Sequence, residues 1–415
     1  MKKNNALTQS NPFIRGHFTW LAYGLLACFA YLQTTPGPII PFLHAEMHLD
    51  YTLDSLHLSA VALGMILAGL FVDRLSARFG RRLLLWGGTF GMLVGALVVA
   101  FSHYPAMSII GMFVIGLMGA TVQIMVLSTL ADQHGQYRAV AITEANMIAS
   151  IGAGLAPICL GVLVLVGIGW RGVLFVPLAF VLLLVLFGFK SQVPQSQQEV
   201  RQITSSRMKL PTAFWLYWMA LIMGVAAEWS VSFWGADYLN RVVGIARTPA
   251  STLMSLFFLA AVIGRFIMSR LTRSLTAERL LLPVLGVAMS GFLLFWLGTA
   301  AWINIAGLFI AGLGIANMFP LTVTATTNRI PRHSDLASAR ATFGGGLAVF
   351  FSPLILGRIA DLVDLRHAFS LVLFLFVMVG VFTLLASRSV KRAYIEATST
   401  EIQALNPEPI YAANS

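Results

Sequence analysis

The chain alternates long apolar runs with short polar interruptions. Twelve of these runs have roughly the 20 residues that a helix needs to cross a bilayer. The predicted spans are 17–43, 55–76, 83–102, 106–130, 138–166, 172–190, 212–236, 250–269, 279–299, 302–326, 338–360 and 367–387. The longest polar interruption divides them into two sets of six and has the composition of a flexible linker. The pattern therefore predicts an all-α polytopic membrane protein with a six-helix bundle on each side of a linker.

Composition and charge agree with a membrane protein. Of the 415 residues, 58% are hydrophobic and only 10% are charged, far from the average of soluble domains. The net charge of +11 comes mostly from segments that the alternation of spans places on one side. That asymmetry follows the positive-inside rule, so it does not indicate nucleic acid. The predicted segments are a cytoplasmic N-terminus (1–16), a first bundle (17–190), a cytoplasmic linker (191–211), a second bundle (212–387) and a cytoplasmic tail (388–415), in the inner (cytoplasmic) membrane of a cell.

A charged turn separates the second and third spans. Its sequence is Gly69-Leu-Phe-Val-Asp73-Arg74-Leu-Ser-Ala-Arg78-Phe-Gly80-Arg81-Arg82. Glycine followed by Asp-Arg and then by Gly-Arg-Arg resembles the loop signature of the major facilitator superfamily. In that family Asp-Arg stands one residue before Gly-Arg-Arg. Here either four residues are inserted, the alignment we favour, or Ala77 and Asp73 stand where the family has its acid and first glycine.

The two halves of the chain share a sequence pattern. Gly111, Phe113, Gly116 and Pro157 reappear as Gly307, Phe309, Gly312 and Pro353, always 196 residues later. A constant offset over several helices indicates an internal repeat. The resemblance to the major facilitator superfamily then covers almost the whole chain. It implies two pseudo-symmetric six-helix bundles around a central cavity, and transport by alternating access.

Four charged residues suggest a gate. In the family fold the fifth and eighth helices meet, as do the second and eleventh. Glu144 and Arg265 lie on the first pair, and Asp73 and Arg340 on the second. We hypothesise two symmetry-related ion pairs that close the cytoplasmic side in the outward-facing state. The alternative is that the arginines reach the membrane interface and the acids cap helices.

Glu228 stands apart from these charges, near the middle of the seventh span with no basic residue within a turn. Burial favours the neutral form of a carboxylate, which suits a site that binds and releases a proton. The segment from Glu228-Trp229 to Trp234 and Tyr238-Leu239 resembles the seventh helix of fucose-permease-like sugar porters. We therefore predict that Glu228 couples transport to protons or contacts the substrate. The alternative is a structural acid bonded to a neighbouring helix.

The resemblance implies that the first, fourth, seventh and tenth helices line the cavity. Their polar and aromatic candidates are Tyr23, Tyr31, Gln33, Thr34, Gln123, Trp229 and Asn317. Uncharged amides and aromatic faces suit a neutral hydroxylated or an amphipathic solute better than a dianion. Each of these residues could instead stabilise helix packing.

The sequence contains no P-loop, no metal-ligand cluster and no nucleophile with its base. We therefore predict a monomeric secondary transporter that is not an enzyme, has no cofactor or metal and does not bind nucleic acid. Its partners are the lipid bilayer, a small organic solute and H⁺. Import and export remain open. The alternatives are efflux of amphipathic compounds by proton antiport and a membrane sensor that does not transport.

Overall fold

A computed structural model describes residues 14–188, 210–328 and 334–405 of the chain. These residues form fourteen α-helices. In chain order they are α1 (His17–Thr34), α2 (Pro36–Met47), α3 (Tyr51–Phe79), α4 (Arg81–Ala100), α5 (Pro105–His134), α6 (Arg138–Leu165), α7 (Val176–Gly188), α8 (Thr212–Arg241), α9 (Arg247–Leu271), α10 (Ala277–Leu297), α11 (Ala301–Thr327), α12 (Ser334–Leu362), α13 (Leu365–Ala368) and α14 (Ser370–Leu405). Short 3₁₀ turns at Gly135–Tyr137 and Trp170–Leu174 precede α6 and α7.

The predicted all-α membrane fold is confirmed. Ten helices within the described ranges are long and apolar enough to cross a membrane, and Trp170–Leu186 is a shorter apolar helix. The first predicted span corresponds to α1 and α2 together. The last span continues in α14 to Leu405, well into the segment that we assigned to the C-terminal tail.

The first span is interrupted where the sequence Pro36-Gly37-Pro38 stands. α1 ends at Thr34 and α2 begins at Pro36. Prolines cannot donate a backbone hydrogen bond, so the helical ladder loses bonds at this point. Thr35 nevertheless keeps helical dihedral angles (φ −55°, ψ −37°), so the chain continues in the same direction.

By backbone packing the chain divides into two compact units. Unit 1 comprises Met1–Ile203 and Ala246–Phe258, and unit 2 comprises Thr204–Ile245 and Leu259–Ser415. Helix α9 is therefore shared, with its first half in unit 1 and its second half in unit 2. The predicted linker lies mostly outside the described residues, so the predicted segment boundaries there stay a prediction.

In unit 1, α5 packs against both α3 and α4. Glycines allow the closest approach: a Cβ on Gly116 would lie 2.1 Å from the carbonyl oxygen of Val61, and a Cβ on Gly64 would lie 2.5 Å from that of Phe113. A side chain at either position would force α3 and α5 apart. Small residues at helix crossings are the usual way in which membrane helices pack tightly.

The internal repeat has a direct structural counterpart. In unit 1, α4 and α5 cross at a glycine pair, where a Cβ on Gly111 would lie 2.9 Å from the oxygen of Gly95. In unit 2, α10 and α11 cross at Gly291 and Gly307, where the corresponding distance is 2.8 Å. Both glycines of one pair lie 196 residues after those of the other. The repeat therefore preserves a backbone contact that only glycine permits.

Candidate functional site

The charged turn between α3 and α4 is very short. α3 continues to Phe79, and Gly80 alone connects it to α4 with a positive φ of 80°, a conformation that favours glycine. Asp73, Arg74 and Arg78 are thus exposed residues on the last turns of α3. Open space surrounds the exposed Gly69. The alignment with four inserted residues stays a prediction.

Arg81 makes an ion pair that the sequence does not predict. Its Nη2 lies 2.7 Å from Oδ2 of Asp132, near the end of α5. Arg81 is only 8% exposed, so this pair fixes the start of α4 against α5. Asp132 lies three residues before the glycine that ends α5, and nothing in the local sequence links it to a residue 51 positions earlier.

Glu144 binds two residues of unit 1. Arg15, just before α1, donates from Nε (2.9 Å) and Nη2 (2.6 Å) to its two carboxylate oxygens. The hydroxyl of Tyr23 donates to Oε2 at 3.1 Å. The hydrogen bonds to Glu144 raise the pKa of the Arg15 guanidinium. We did not anticipate Arg15 as a partner, and the predicted Glu144–Arg265 pair stays a hypothesis.

Residues next to this pair extend the polar cluster at the same end of unit 1. Thr19 Oγ1 lies 3.0 Å from Nε2 of His134, at the end of α5. We call the end of unit 1 that contains Arg15, Glu144, His134 and the α3–α4 turn its basic end.

Glu228 has a different environment in α8 of unit 2. It is half-buried, and no residue in the described ranges donates a hydrogen bond to it. Among the described residues, Arg265 of α9 acts on it electrostatically, since its positive charge attracts the carboxylate. Arg265, predicted as a gate residue, therefore lies close enough to influence Glu228. The sequence suggested an isolated acid because the arginine belongs to another helix.

Asn317 lies where α11 crosses α9. It is 1% exposed, and its amide nitrogen donates to the carbonyl of Leu313 at 2.8 Å. A Cβ on Gly264 would lie 2.9 Å from that nitrogen, so α9 and α11 approach each other closely there. Asn317 thus has a packing role in this structure. Trp229 is half-buried.

The candidates on α1 and α5 fall into two groups. Tyr31 and Thr34 hold elements together: Tyr31 donates to the carbonyl of Val173 at 3.0 Å, and Thr34 to that of Ala153 at 3.2 Å. Gln33 and Gln123 are half-buried. Among the described residues, Gln33 donates only to Sδ of Met65, a weak acceptor, at 3.3 Å. Gln123 has no hydrogen bond to any residue that the structure describes.

Arg340, the other predicted gate arginine, lies near the start of α12. Its guanidinium carbon is 5.1 Å from the ring centre of Trp215, and the indole nitrogen of Trp218 donates to its backbone carbonyl at 2.8 Å. Within the described part of unit 2, no carboxylate lies at ion-pair distance from it. The predicted Asp73–Arg340 pair stays a hypothesis.

The opposite end of unit 1 contains two contacts between charged residues whose pairing the sequence does not predict. His44 Nδ1 contacts Oδ2 of the fully buried Asp54. Arg171 donates to Glu46 at 2.7 Å and to the carbonyl of Ala100 at 2.9 Å. The hydrogen bonds from Arg171 lower the pKa of Glu46. These contacts connect α2, α3 and the end of α4 to the 3₁₀ turn before α7.

Comparison with known proteins places this architecture in a family. The family model of the Major Facilitator Superfamily matches residues 22–353 and 236–407. An uncharacterized MFS-type transporter of Yersinia pestis is 23% identical over 349 residues, which cover 83% of this chain and 89% of that protein. A glucose/galactose transporter of Brucella abortus is 26% identical over 230 residues, 52% of this chain and 53% of that protein.

Solved structures agree on the fold. The crystal structure of a D-xylose-proton symporter superposes with a TM-score of 0.72 at 15% sequence identity, covering 89% of this chain and 95% of the symporter. Because the family model extends over most of the chain, and the fold and internal repeat agree with it, this protein belongs to the major facilitator superfamily of transporters.

Proposed function

We propose that the protein is a secondary active transporter that moves a small neutral hydroxylated solute by alternating access, coupled to protons through Glu228. The observation that carries the proposal is the environment of this carboxylate. It lies in a membrane helix, half-buried, with an attracting arginine but no hydrogen-bond donor among the described residues. Ionisable groups inside membrane helices are costly and are usually functional.

The Glu228–Arg265 arrangement suggests how coupling would work. When Glu228 is ionised, its charge is attracted to Arg265 across the α8–α9 interval. When Glu228 binds a proton, this attraction disappears. Helices α8 and α9 then lose a force that favours the conformation in which the two side chains are close. Proton binding would thus change the relative free energy of two conformations, which is what coupling requires.

The relatives support a sugar as the solute class. Two of the proteins compared above are named for transport of glucose and galactose or of D-xylose. In this chain, Gln33 and Gln123 are half-buried amides whose hydrogen-bonding capacity the described residues do not exhaust. An amide offers two donors and an acceptor, a combination that fits sugar hydroxyls. Trp229, which follows Glu228 in the sequence, is half-buried and could offer an aromatic face to a sugar ring.

A ligand screen tests the substrate class. The purified protein is melted with sugars, amino acids, organic acids and amphipathic drugs, because a ligand of the folded state raises the melting temperature. We expect stabilisation by a monosaccharide. Stabilisation only by lipophilic cations or drugs would replace this proposal with efflux. Ligand binding without counterflow in vesicles would favour a sensor.

Proteoliposomes test the coupling. We expect Glu228→Gln to lose accumulation driven by a pH gradient, while exchange of labelled for unlabelled solute persists because exchange needs no net proton movement. Glu278→Gln is the matched control, since Glu278 lies in the first turn of α10 in the same unit. If the variant loses accumulation, exchange and solute binding together, Glu228 contacts the solute. If neither changes, the coupling assignment is wrong and Glu144 or Asp73 is the next candidate.

We further propose that the protein lies in the inner membrane with both termini in the cytoplasm. The support is the concentration of arginines at the basic end of unit 1 and the positive-inside rule. Labelling of single cysteines introduced at Ser415 and beside Asp50 with an impermeant reagent on intact cells tests this. We expect labelling beside Asp50 only.

A further inference from the structure

The start of α8 and the start of α12 form a small aromatic and basic cluster in unit 2, which we call the Trp–Arg corner. It consists of Trp215, Trp218 and Arg340. The two indole rings meet edge to face with centroids 5.5 Å apart, and Arg340 lies over the Trp215 ring at 5.1 Å. Neither the transport cycle nor proton coupling, as proposed above, uses the two tryptophans.

The corner is rigid on one side and open on the other. Trp218 uses its indole N–H on the backbone carbonyl of Arg340, at 2.8 Å. The absence of a side chain at Gly344 makes room for it, since a Cβ there would lie 2.9 Å from the same indole nitrogen. Trp215, in contrast, is 41% exposed. The backbone of Arg340 is therefore fixed while the outer tryptophan faces the surroundings.

Two donor groups of the corner, the guanidinium of Arg340 and the indole N–H of Trp215, have no acceptor among the residues that the structure describes. In the described ranges, the guanidinium of Arg340 has the Trp215 ring as its contact and no carboxylate or carbonyl acceptor. The indole N–H of Trp215 also has no acceptor among these residues. A guanidinium carries five N–H donors in a planar fork that matches phosphate oxygens. The corner thus presents one positive charge and an unused set of donors.

The depth of the Trp–Arg corner in the membrane indicates which anion it binds. Trp215 is the fourth residue of α8, and Arg340 is the third residue of the apolar run that the sequence predicts over 338–360. Both therefore lie where a helix leaves the hydrocarbon core. Tryptophan is enriched at that level, and basic pockets between transmembrane helices bind anionic lipid headgroups. A lipid phosphate lies at this depth permanently, at a high local concentration.

We propose that the Trp–Arg corner binds the phosphate headgroup of an anionic phospholipid. The guanidinium of Arg340 binds the phosphate oxygens, and the exposed ring of Trp215 packs against the glycerol and the upper acyl chain. The site is independent of Glu228, so anionic lipid would modulate the stability of unit 2 whatever the solute is.

The test uses the full-length protein in nanodiscs that contain phosphatidylcholine with increasing phosphatidylglycerol. We expect phosphatidylglycerol to raise the melting temperature of the wild type, and Arg340→Gln to need about tenfold more of it, the size of one lost charge-assisted contact. Arg388→Gln is the matched control, because Arg388 is an exposed arginine on α14 without an aromatic partner among the described residues. An equal loss in both variants would overturn the proposal, because it would show a diffuse charge effect.

Quenching provides a readout that survives if Arg340→Gln folds poorly. Phosphatidylglycerol brominated near the headgroup should quench a fluorescence component that the wild type has and Trp215→Phe lacks, more strongly than brominated phosphatidylcholine does. Equal quenching by the two lipids would overturn the proposal. As a last test, the melting temperature is measured with inorganic phosphate at millimolar concentration. Stabilisation by phosphate alone, with no preference for phosphatidylglycerol, would show a site for a soluble anion and would also overturn it.

Discussion

Glu144 and Glu228 are both carboxylates on membrane helices, yet their surroundings differ. Glu144 accepts two hydrogen bonds from Arg15 and one from Tyr23. Among the described residues, none donates a hydrogen bond to Glu228, and the charge of Arg265 attracts it. Donors to a carboxylate favour its ionised form, whereas burial favours the neutral form. The position of an acid within an apolar span therefore does not identify it as a coupling residue. The hydrogen-bond donors around the carboxylate decide whether it can change its charge.

The largest expected difference between the two acids is in transport. Glu228→Gln should lower accumulation driven by a pH gradient by about tenfold or more, because the neutral amide cannot carry a proton. Glu144→Gln should have a smaller effect, because its carboxylate is held in the ionised form. Uptake into proteoliposomes with an imposed gradient measures both. Equal losses in the two variants would remove the distinction.

The next difference is in stability, where we expect opposite signs. Glu144→Gln should lower the melting temperature by a few degrees, since it leaves the Arg15 guanidinium without its carboxylate. Glu228→Gln should raise it slightly, because a half-buried charge without hydrogen bonds is replaced by a neutral group of the same shape. Thermal melting in detergent at neutral pH measures both. A fall for Glu228→Gln would mean that its attraction to Arg265 outweighs the cost of burial.

A charge swap identifies the working partner of Glu144. Glu144→Arg should lower transport and stability. Adding Arg15→Glu should restore stability, because the pair in unit 1 is rebuilt with reversed signs. Adding Arg265→Glu instead tests the hypothesised gate, and rescue of transport would support it. If Arg265→Glu restores neither transport nor stability, the hypothesised Glu144–Arg265 gate pair is wrong.

We expect the smallest effect on stability at Glu46. Like Glu144, it is an acid that an arginine binds, but its side chain is more accessible. The Arg171 hydrogen bonds hold its pKa below the ordinary glutamate value. A lowered pKa means that the stabilisation is complete above the ordinary value and is lost as the pH falls through the lowered one. The side chains of Arg171 and Glu46 are 29% and 40% exposed, so water screening limits the contribution to less than about 1 kcal/mol.

Glu46→Gln should therefore melt below the wild type at pH 7, and the gap should shrink as the pH falls below the ordinary range of glutamate. Melting curves at several pH values measure this. The matched control is Asp50→Asn, which changes an acid at the same end that caps the backbone of Leu53. A gap that is independent of pH would show that packing, and not charge, causes the difference.

Several features could be predicted from the sequence because they depend on the chain itself. Apolar run length determined the helices, since a bilayer-spanning segment must satisfy its own backbone hydrogen bonds. The prolines after Thr34 explain the break in the first span, because proline has no backbone N–H to donate. The offset of 196 residues identified two related halves, and the structure explains it through glycine pairs at two helix crossings. The family followed from these features together with the turn that ends at Gly80.

The partners of the charged residues were decided by the tertiary structure. Arg15 and Glu144 are 129 residues apart, and nothing in either local sequence indicates the other. Arg265 was assigned to Glu144 by family geometry, yet its charge acts on Glu228. A short-range interaction depends on the rotation of each helix about its axis and on which faces pack. One sequence records which residues are charged, whereas packing determines which of them meet.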